Sequence, residues 1–262
     1  MKKINCIDEL NKLIMSHFGR DYVSNWFMPK ETAVKYISAD RITACESGES
    51  LFIFLLKGDF SSLYYCMKKG DIPDISFVHG TVVAETAYRD KDTELRAADS
   101  VLESIGFERE FCRCRMSFRQ NGDVSDELPE NIRYANEEDK DIVKKLLYSS
   151  FNELTGCLPD DDEINAAVCE NRFLLYDDGS EPSALLHFEK KRSAYELRHL
   201  CVSQNSRGHG IGGKLVKTYN AMIPKNGQVW VREGYAPAEK IYEKNGYTAD
   251  GMKSSVLIYR KG

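Results

Sequence analysis

The chain has 262 residues and a formal net charge of −5, with 42% hydrophobic and 29% charged residues. This length allows one large domain or two small ones, each with an adequate core. The negative charge balance excludes the basic footprint that nucleic-acid-binding proteins carry, so we expect no nucleic-acid partner.

The first residues, MKKINCIDELNKL, include two lysines but no continuous apolar segment, because polar residues interrupt it. No later segment approaches the run of about 18 apolar residues that a membrane span needs. We therefore expect no signal peptide, no membrane partner and a cytoplasmic location. Eight cysteines without a C-x-x-C pair predict neither a metal site nor a disulfide framework.

The first half of the chain contains three segments with clear patterns. LFIFLL is an apolar run, and TVVAE is a β-branched run typical of a strand. SVLESIGFEREFCRCRMSFR, from Ser100 to Arg119, predicts a helix, an aromatic turn and a strand. Cys112 and Cys114 are two residues apart in that strand, so we expect them on one face, reduced and half-buried.

The segment QNGDVSDELPENI, from Gln120 to Ile132, is polar and contains both Gly and Pro. It breaks the apolar periodicity on either side, which is typical of a linker. We therefore predict a first domain over residues 1–120, a linker over 121–131 and a second domain over 132–262.

The second domain is predicted to alternate strands and helices. NIRYA predicts a strand, and NEEDKDIVKKLLYSSF predicts a helix capped by Asn136. A second helix is predicted to follow LPDDDEINAAV, and strands are predicted at RFLLYDD, SALLHFEKK and YELRHLCV. Further on, IGGKLVKTYNAMI and APAEKIYEKNG predict helices, while QVWVRE and SSVLIYRK predict strands. This order indicates an α+β domain.

The segment RGHGIGGKL, from Arg207 to Leu215, fits three phosphate-binding patterns. G-x-G-x-x-G is typical of a dinucleotide site, G-x-x-x-x-G-K resembles a nucleoside-triphosphate loop, and R-x-x-G-x-G resembles an acyl-CoA loop. In each, glycines let backbone N–H groups approach a phosphate at the start of a helix. The glycines alone predict an anion and leave its identity open.

Neighbouring residues discriminate among these patterns. A triphosphate loop needs Ser or Thr after its lysine to bind Mg²⁺, and this chain has Leu215 there. Glu233 suits a ribose-binding acid, but five residues, SQNSR, separate the strand LRHLCV from Gly208. A dinucleotide fold turns directly from strand to glycine, and too few residues follow Gly213 to complete its sheet.

The third pattern is supported by its surroundings. LRHLCVSQNSRGHGIGGKLV, together with PAEKIYEKNGY further on, resembles the GNAT superfamily of N-acetyltransferases over about half the chain. The resemblance implies a mixed, mostly antiparallel sheet flanked by helices, and acetyl-CoA as cosubstrate. It also implies that main-chain groups hold the CoA. The residues so implied are Leu200, Cys201 and Val202 for the acyl arm, and Arg207, Gly208, His209, Gly210, Ile211, Gly212 and Gly213 for the pyrophosphate.

The resemblance also suggests catalytic residues. Tyr242 matches the tyrosine that protonates the departing CoA sulfur in many members, and Glu196 stands where some members hold a general base. The alternatives are that Tyr242 only packs against the sheet and that Glu196 only pairs with Arg198. His199 and water remain possible bases. Strand alternation puts Glu196 with Arg198 on one face unless a bulge breaks the parity.

One departure from the family pattern affects the cofactor site. Many members have N-x-x-A before the tyrosine helix, whereas this chain has Tyr235 at the position of the asparagine. That polar contact to the CoA arm is therefore in doubt. The acidic run PDDDE fits either a helix cap or an attraction for a cationic acceptor.

We therefore expect an N-acetyltransferase that moves an acetyl group to a primary amine of a small molecule or peptide by direct attack in a ternary complex. The alternative is a non-catalytic CoA-sensing or scaffolding module. The acceptor, the length of the acyl group and the oligomeric state remain open.

An internal repeat gives an expectation for the first half. Gly106 aligns with Gly246 and Phe107 with Tyr247, within similar helix–turn–strand segments. The first half therefore resembles a second, degenerate GNAT-like domain, making two tandem domains. Leu102 stands at the position of Tyr242, and no R-x-x-G-x-G occurs there, so we expect this half to bind no CoA.

Overall fold

A computed structural model describes residues 1–76, 78–125 and 127–261. The chain divides into two compact units. Unit 1 contains residues 1–113 and those from 252 onward, and unit 2 contains residues 114–251. These units differ from the predicted domain limits, because two long strands start in one unit and end in the other. Asp126, within the predicted linker, lies outside the described residues.

Unit 1 is built from short helices and long strands. Its elements are β1 (Lys2–Lys3), α1 (Ile7–Ser16), β2 (Tyr22–Ser24), α2 (Lys30–Ser38), β3 (Ile42–Ser47), β4 (Ser50–Lys57), β5 (Phe60–Lys68), β6 (Gly80–Arg89), α3 (Thr93–Ser104), the first part of β7 (Glu108–Phe118) and the last part of β13 (Thr248–Lys261). The strands run in the order β1, β3, β4, β5, β6, β13, and β2 pairs with β5.

The apolar run LFIFLL lies in β4 and is buried on both faces from Leu51 to Leu55, whereas Leu56 is exposed. Leu51, Ile53 and Leu55 pack with α1 and α2 in one core. Phe52 and Phe54 pack with α3 in a second core. This division follows from the period of two along a strand, which sends successive side chains to opposite faces. Unit 1 is therefore a sheet covered by helices on both faces.

Unit 2 has the same layered architecture. Its elements are β8 (Ile132–Tyr134), a short 3₁₀ turn (Glu137–Asp139), α4 (Lys140–Ser150), α5 (Asp161–Cys169), β9 (Phe173–Tyr176), β10 (Ala184–Lys190), β11 (Tyr195–Val202), α6 (Ile211–Met222), β12 (Gly227–Arg232) and α7 (Ala236–Lys244), with the last part of β7 and the first part of β13. The strands run in the order β8, β9, β10, β11, β12, β7. Each element predicted for residues 132–262 is present; the second helix begins within LPDDDEINAAV, at Asp161, and the strand SSVLIYRK falls in the part of β13 that belongs to unit 1.

Among the strand pairs whose register the described residues show, most are antiparallel, while β5 with β6 and β11 with β12 are parallel. The α+β prediction with a mostly antiparallel sheet is thereby confirmed. Asn136 caps its helix as predicted, since its side chain accepts from the Glu138 N–H at 2.8 Å. No described helix combines the length and apolar character that crossing a membrane requires.

Candidate functional site

The site is built where β11 and β12 separate. β11 pairs with β10 along its whole length, from Tyr195 to Val202. It pairs with β12 only from Tyr195 to Leu197, which face Gly227 to Val229. Among the described strands, none pairs with residues 198–202 on the side facing β12. The backbone edge of β11 is therefore open at its carboxyl end.

A bulge in β11 decides which side chains share a face. His187 faces His199 and Phe188 faces Leu197, so Arg198 is the extra residue. Tyr195 and Leu197 pack in the core that includes α6 and α7. Glu196 lies between them, so alternation places it on the opposite face. The bulge that the sequence left open is therefore present, and it places Glu196 on the face of His199, while Glu196 still pairs with Arg198.

The glycine loop connects β11 to α6. The Arg207 Nε donates to the Val202 carbonyl at 3.1 Å, which ties the loop to the end of the strand. Gly208 and Gly210 have φ values of 85° and 77°. Only glycine adopts this left-handed region without strain, so both glycines are needed for the path of the chain. The loop then enters α6 at Ile211.

The start of α6 presents unused hydrogen-bond donors. The Arg207 N–H donates weakly to the Gln204 carbonyl at 3.4 Å, and the Lys214 N–H donates to the Gly210 carbonyl at 3.0 Å. Within the described part of the chain, no acceptor takes the N–H groups of residues 208–213. A helix start with free N–H groups and a partial positive charge favours an anion.

Gly212 marks where the loop, β11 and α7 meet. A Cβ at this position would lie 3.4 Å from the Ile241 Cδ1, 3.6 Å from the Val202 Cγ2 and 3.8 Å from the Leu200 Cδ2. Three of the predicted cofactor residues therefore pack together, next to the helix that carries Tyr242. Ile211 is buried in the same core.

Tyr242 is 5% exposed and packs edge-on against Tyr247, with 5.6 Å between ring centroids. Burial raises the pKa of its hydroxyl well above the ordinary value. The described residues provide no hydrogen-bond partner for this hydroxyl. Tyr242 is thus a protonated donor in an apolar environment, which is the form that a general acid requires.

Glu196 accepts a hydrogen bond from the Arg198 Nη1 at 2.6 Å, and its side chain is 12% exposed. The ion pair that the sequence offered as the alternative is therefore present. Cys201, on the same face as His199, is buried against α4 and α5, and burial raises the pKa of its thiol to about 12. Its side chain is therefore a neutral packing group.

His199 is committed to a hydrogen-bond chain that the sequence did not reveal. Its Nε2 lies 2.8 Å from the Gly156 carbonyl, and its Nδ1 lies 3.1 Å from the Nδ1 of His187. Because a carbonyl only accepts, His199 carries its proton on Nε2, and a neutral His199 must accept at Nδ1. His187 therefore donates from Nδ1. Both nitrogens of His199 are engaged, which leaves it without a free lone pair for an acceptor amine.

The other side of His187 faces Glu189. The His187 Nε2 lies 3.4 Å from the Glu189 Oε1 and has no hydrogen-bond partner, because neutral His187 carries its proton on Nδ1 and a carboxylate only accepts. Burial lowers the pKa of His187, although Glu189 opposes that effect. Burial acts against the charged form of Glu189, but the positive charges around it, with Arg172 in direct contact, outweigh burial and lower the pKa of Glu189.

The acidic run PDDDE has a local structural role. The Asp160 side chain accepts from the Glu163 N–H at 3.0 Å, and the Glu163 side chain accepts from the Asp160 N–H at 2.9 Å. Asp161 pairs with Lys144 at 2.6 Å. The run therefore caps α5, which is the first of the two roles that its sequence suggests. Tyr235, which replaces the family asparagine, is 54% exposed at the start of α7.

Within the described ranges, His, Cys, Asp and Glu side chains form no group of three that could hold a metal ion. The candidate site of unit 2 thus consists of the glycine loop, the open edge of β11 and the helix that carries Tyr242.

Comparison with known proteins agrees with these features. Residues 170–249 match the family model of the Acetyltransferase (GNAT) domain, which spans fewer than half of the residues. This match includes β9 to α7 and hence the glycine loop and Tyr242. A search of curated protein sequences found no match.

Solved structures share the fold at low sequence identity. A GCN5-related N-acetyltransferase from Sphaerobacter thermophilus has a TM-score of 0.58 and 14% identity, covering 81% of this chain and 78% of that one. A GNAT acetyltransferase from Colwellia psychrerythraea has a TM-score of 0.56 and 11% identity, covering 99% of both chains.

A tandem GNAT protein from the clavulanic acid biosynthesis pathway has a TM-score of 0.50 and 10% identity, covering 83% of this chain and 81% of that one. Likeness over most of a tandem protein supports a GNAT-like fold in both halves, as the internal repeat predicts. That the first half binds no CoA stays a prediction. The chain thus has the fold of tandem GNAT proteins, and residues 170–249 of its second half match the GNAT acetyltransferase domain.

Proposed function

We propose that unit 2 is an acetyl-CoA-dependent N-acetyltransferase that acts on a primary amine of a small molecule or peptide. One observation carries the proposal: the open edge of β11 leads directly into a helix start with unused N–H groups. An extended ligand with a polar arm and an anionic end fits both features. Acetyl-CoA has both features, because its arm contains amides and leads to a pyrophosphate.

The N–H groups of residues 208–213 would bind the pyrophosphate, because the glycines leave no Cβ in the way. The main chain of Leu200, Cys201 and Val202 would bind the acyl arm as an added strand would. The Val202 carbonyl already accepts one hydrogen bond, from the Arg207 Nε, and keeps its second lone pair for the arm. These contacts orient the thioester carbonyl towards the acceptor.

Transfer needs two proton movements. As the acceptor nitrogen forms its bond to the acetyl carbon, the carbon–sulfur bond breaks and the electron pair leaves on sulfur. The Tyr242 hydroxyl donates a proton to that sulfur. The Glu196 carboxylate takes the proton lost by the amine, directly or through a water molecule, while Arg198 holds the carboxylate in position. His199 positions the loop at Gly156 and takes no proton from the acceptor.

The test is Tyr242→Phe in the full chain, measured by CoA release from acetyl-CoA with a panel of amines. We expect kcat to fall by about 100-fold, because general acids contribute at least that much. The affinity for CoA should be nearly unchanged, since the ring and its packing remain.

Tyr247→Phe is the matched control, because Tyr247 is also buried and its hydroxyl bonds the Asn220 Oδ1 at 2.8 Å. It should lose stability by about 1 kcal/mol and keep its kcat. Full activity of Tyr242→Phe would remove the acid role. Binding of acetyl-CoA without transfer to any amine would support the non-catalytic alternative.

A further inference from the structure

In each unit, two parallel strands pair over part of their length and then separate. We call the space that this separation leaves beside the strand, as beside β11 in unit 2, the gap. In unit 1, β4 and β5 are antiparallel neighbours, and β5 runs parallel to β6 only from Phe60 to Leu63, which face Thr81 to Ala84. In unit 2, β10, β11 and β12 repeat this order, and the parallel pairing stops at Leu197. Leu63 and Leu197 are thus the last paired residues of corresponding strands.

In unit 1 the chain itself fills the gap. β2 pairs with β5 beyond the end of the parallel pairing, with Ser24 facing Cys66 and Tyr22 facing Lys68. The Ser24 hydroxyl also donates to the Tyr65 carbonyl at 2.8 Å. The edge of β5 that β6 leaves is therefore taken up by residues 22–24.

Asn25 bridges the remaining space between β5 and β6. Its Nδ2 donates to the Leu63 carbonyl at 3.1 Å and to the Glu85 carbonyl at 3.0 Å, and its Oδ1 accepts from the Tyr65 N–H at 2.7 Å. Asn25 is 6% exposed. One carboxamide thus satisfies three backbone groups on two strands, which would otherwise be buried without partners.

The corresponding segment of unit 2 takes a different course. β2 and Asn25 belong to the connection between α1 and α2, and the matching connection between α4 and α5 covers residues 151–160. That connection forms no strand in the described structure, and it meets β11 through the Gly156 carbonyl at His199. The gap is therefore filled in one unit and open in the other.

We propose that residues Tyr22–Asn25 are a built-in occupant of the ligand gap of unit 1. Unit 1 accordingly takes no acetyl-CoA, and the chain binds one molecule, in unit 2. The assignment of that single ligand rests on the proposed function. The role of Asn25 in unit 1 stands apart from it.

The first test is the stoichiometry of CoA binding to the full chain, measured by titration calorimetry. We expect one CoA per chain, and Gly210→Ala should weaken its binding while creating no second site. Two CoA molecules per chain, or one that Gly210→Ala leaves unaffected, would overturn the proposal. Absence of any CoA binding would refute the proposed function and leave the second test standing.

The second test is Asn25→Asp, which keeps the size of the side chain but replaces Nδ2 by an oxygen facing two carbonyls. Asn11→Asp makes the same change at an exposed position of α1. We expect Asn25→Asp to lower the thermal midpoint by about 5 °C or more, and Asn11→Asp to change it little. Equal midpoints for the two variants would overturn the role of Asn25.

Asn25→Gly extends the test by removing the carboxamide. Acetamide, used as the probe, should raise the midpoint of Asn25→Gly relative to that of Asn11→Gly, because it can restore the missing amide. Amide hydrogen exchange at Tyr65 should accelerate in Asn25→Gly and slow again with acetamide. Unchanged exchange at Tyr65 would show that Asn25 does not hold the gap closed.

Discussion

Gly210 and Gly212 lie two residues apart in the loop, and alanine is expected to have opposite effects at the two positions. Gly210 has a φ of 77°, in the left-handed region. An L-residue with a Cβ costs about 1–2 kcal/mol there. A Cβ at Gly210 has open space around it, so this backbone cost is the main cost of Gly210→Ala.

Gly212 lies in the first turn of α6 with ordinary helical geometry. A Cβ there would make van der Waals contacts at 3.4 Å and beyond. Alanine favours a helix by up to about 1 kcal/mol over glycine. We therefore expect Gly212→Ala to be between neutral and about 1 kcal/mol more stable than the parent chain.

Urea unfolding of the two variants and the parent chain measures this difference, and CoA titration measures its effect on the site. Gly210→Ala should be less stable by about 1–2 kcal/mol and should bind CoA more weakly, because relief of the strain turns the N–H groups away. Gly212→Ala leaves the left-handed turn intact, so it should weaken CoA binding less than Gly210→Ala does. Equal stability of the two variants would refute the argument that the left-handed turn shapes the loop.

Two further substitutions test the polar residues around β11. Glu196→Gln should lower kcat by about 100-fold at neutral pH, and by less at high pH, where more of the amine is already deprotonated. The control is Glu243→Gln, on the exposed side of α7. A loss of kcat that does not depend on pH would contradict the base role of Glu196. His187→Asn should flatten the fall in stability on acidification. The pKa of His187 is lowered from 6.5 by burial, next to Glu189, Arg172, Arg198 and His199, so below about pH 6.5 the unfolded chain takes up a proton that the folded chain does not. Uptake of this proton lowers the free energy of unfolding by up to about 1.4 kcal/mol per pH unit. The test is the unfolding of the parent chain and of His187→Asn between pH 7 and pH 5. Equal slopes of unfolding free energy against pH for the two proteins would contradict this reasoning.

Local signals in the sequence were sufficient for the elements of unit 2. Asn136 at the start of a helix and the glycines before α6 act through their own backbone neighbours, so their effect could be predicted from short segments. The sequence of the acidic run before α5 does not decide between a helix cap and attraction for a cation, because both use the same residues.

Features that depend on pairing between strands escaped prediction. The bulge at Arg198 reverses the face of Glu196, and a period of two contains no sign of it. The contact between His187 and His199 depends on the register of β10 with β11. Asn25 follows a strand of three residues, and nothing local indicates that its amide would bridge β5 and β6.

The internal repeat has a consequence for the folding of each half. Phe107 packs against Tyr259 in unit 1, with 5.3 Å between ring centroids, and Tyr247 packs against Phe118 in unit 2, at 5.5 Å. In the repeat, Tyr259 belongs to the second copy and Phe118 to the first. Each unit is therefore completed by a strand from the other copy of the repeat.

Fragments cut at the predicted linker should consequently fail to fold as independent domains. Residues 1–120 alone lack the part of β13 with Val256, Leu257 and Ile258, each at most 1% exposed. Burial of such side chains contributes about 1.5–3 kcal/mol each, so the loss is comparable to the whole stability of a domain, about 5–15 kcal/mol. We expect no cooperative unfolding of fragment 1–120, and recovery when it is co-expressed with 121–262, because that fragment supplies β13. A cooperative transition of the isolated fragment would mean that β13 is dispensable to unit 1, and the limits predicted from the linker would then be the true folding boundaries.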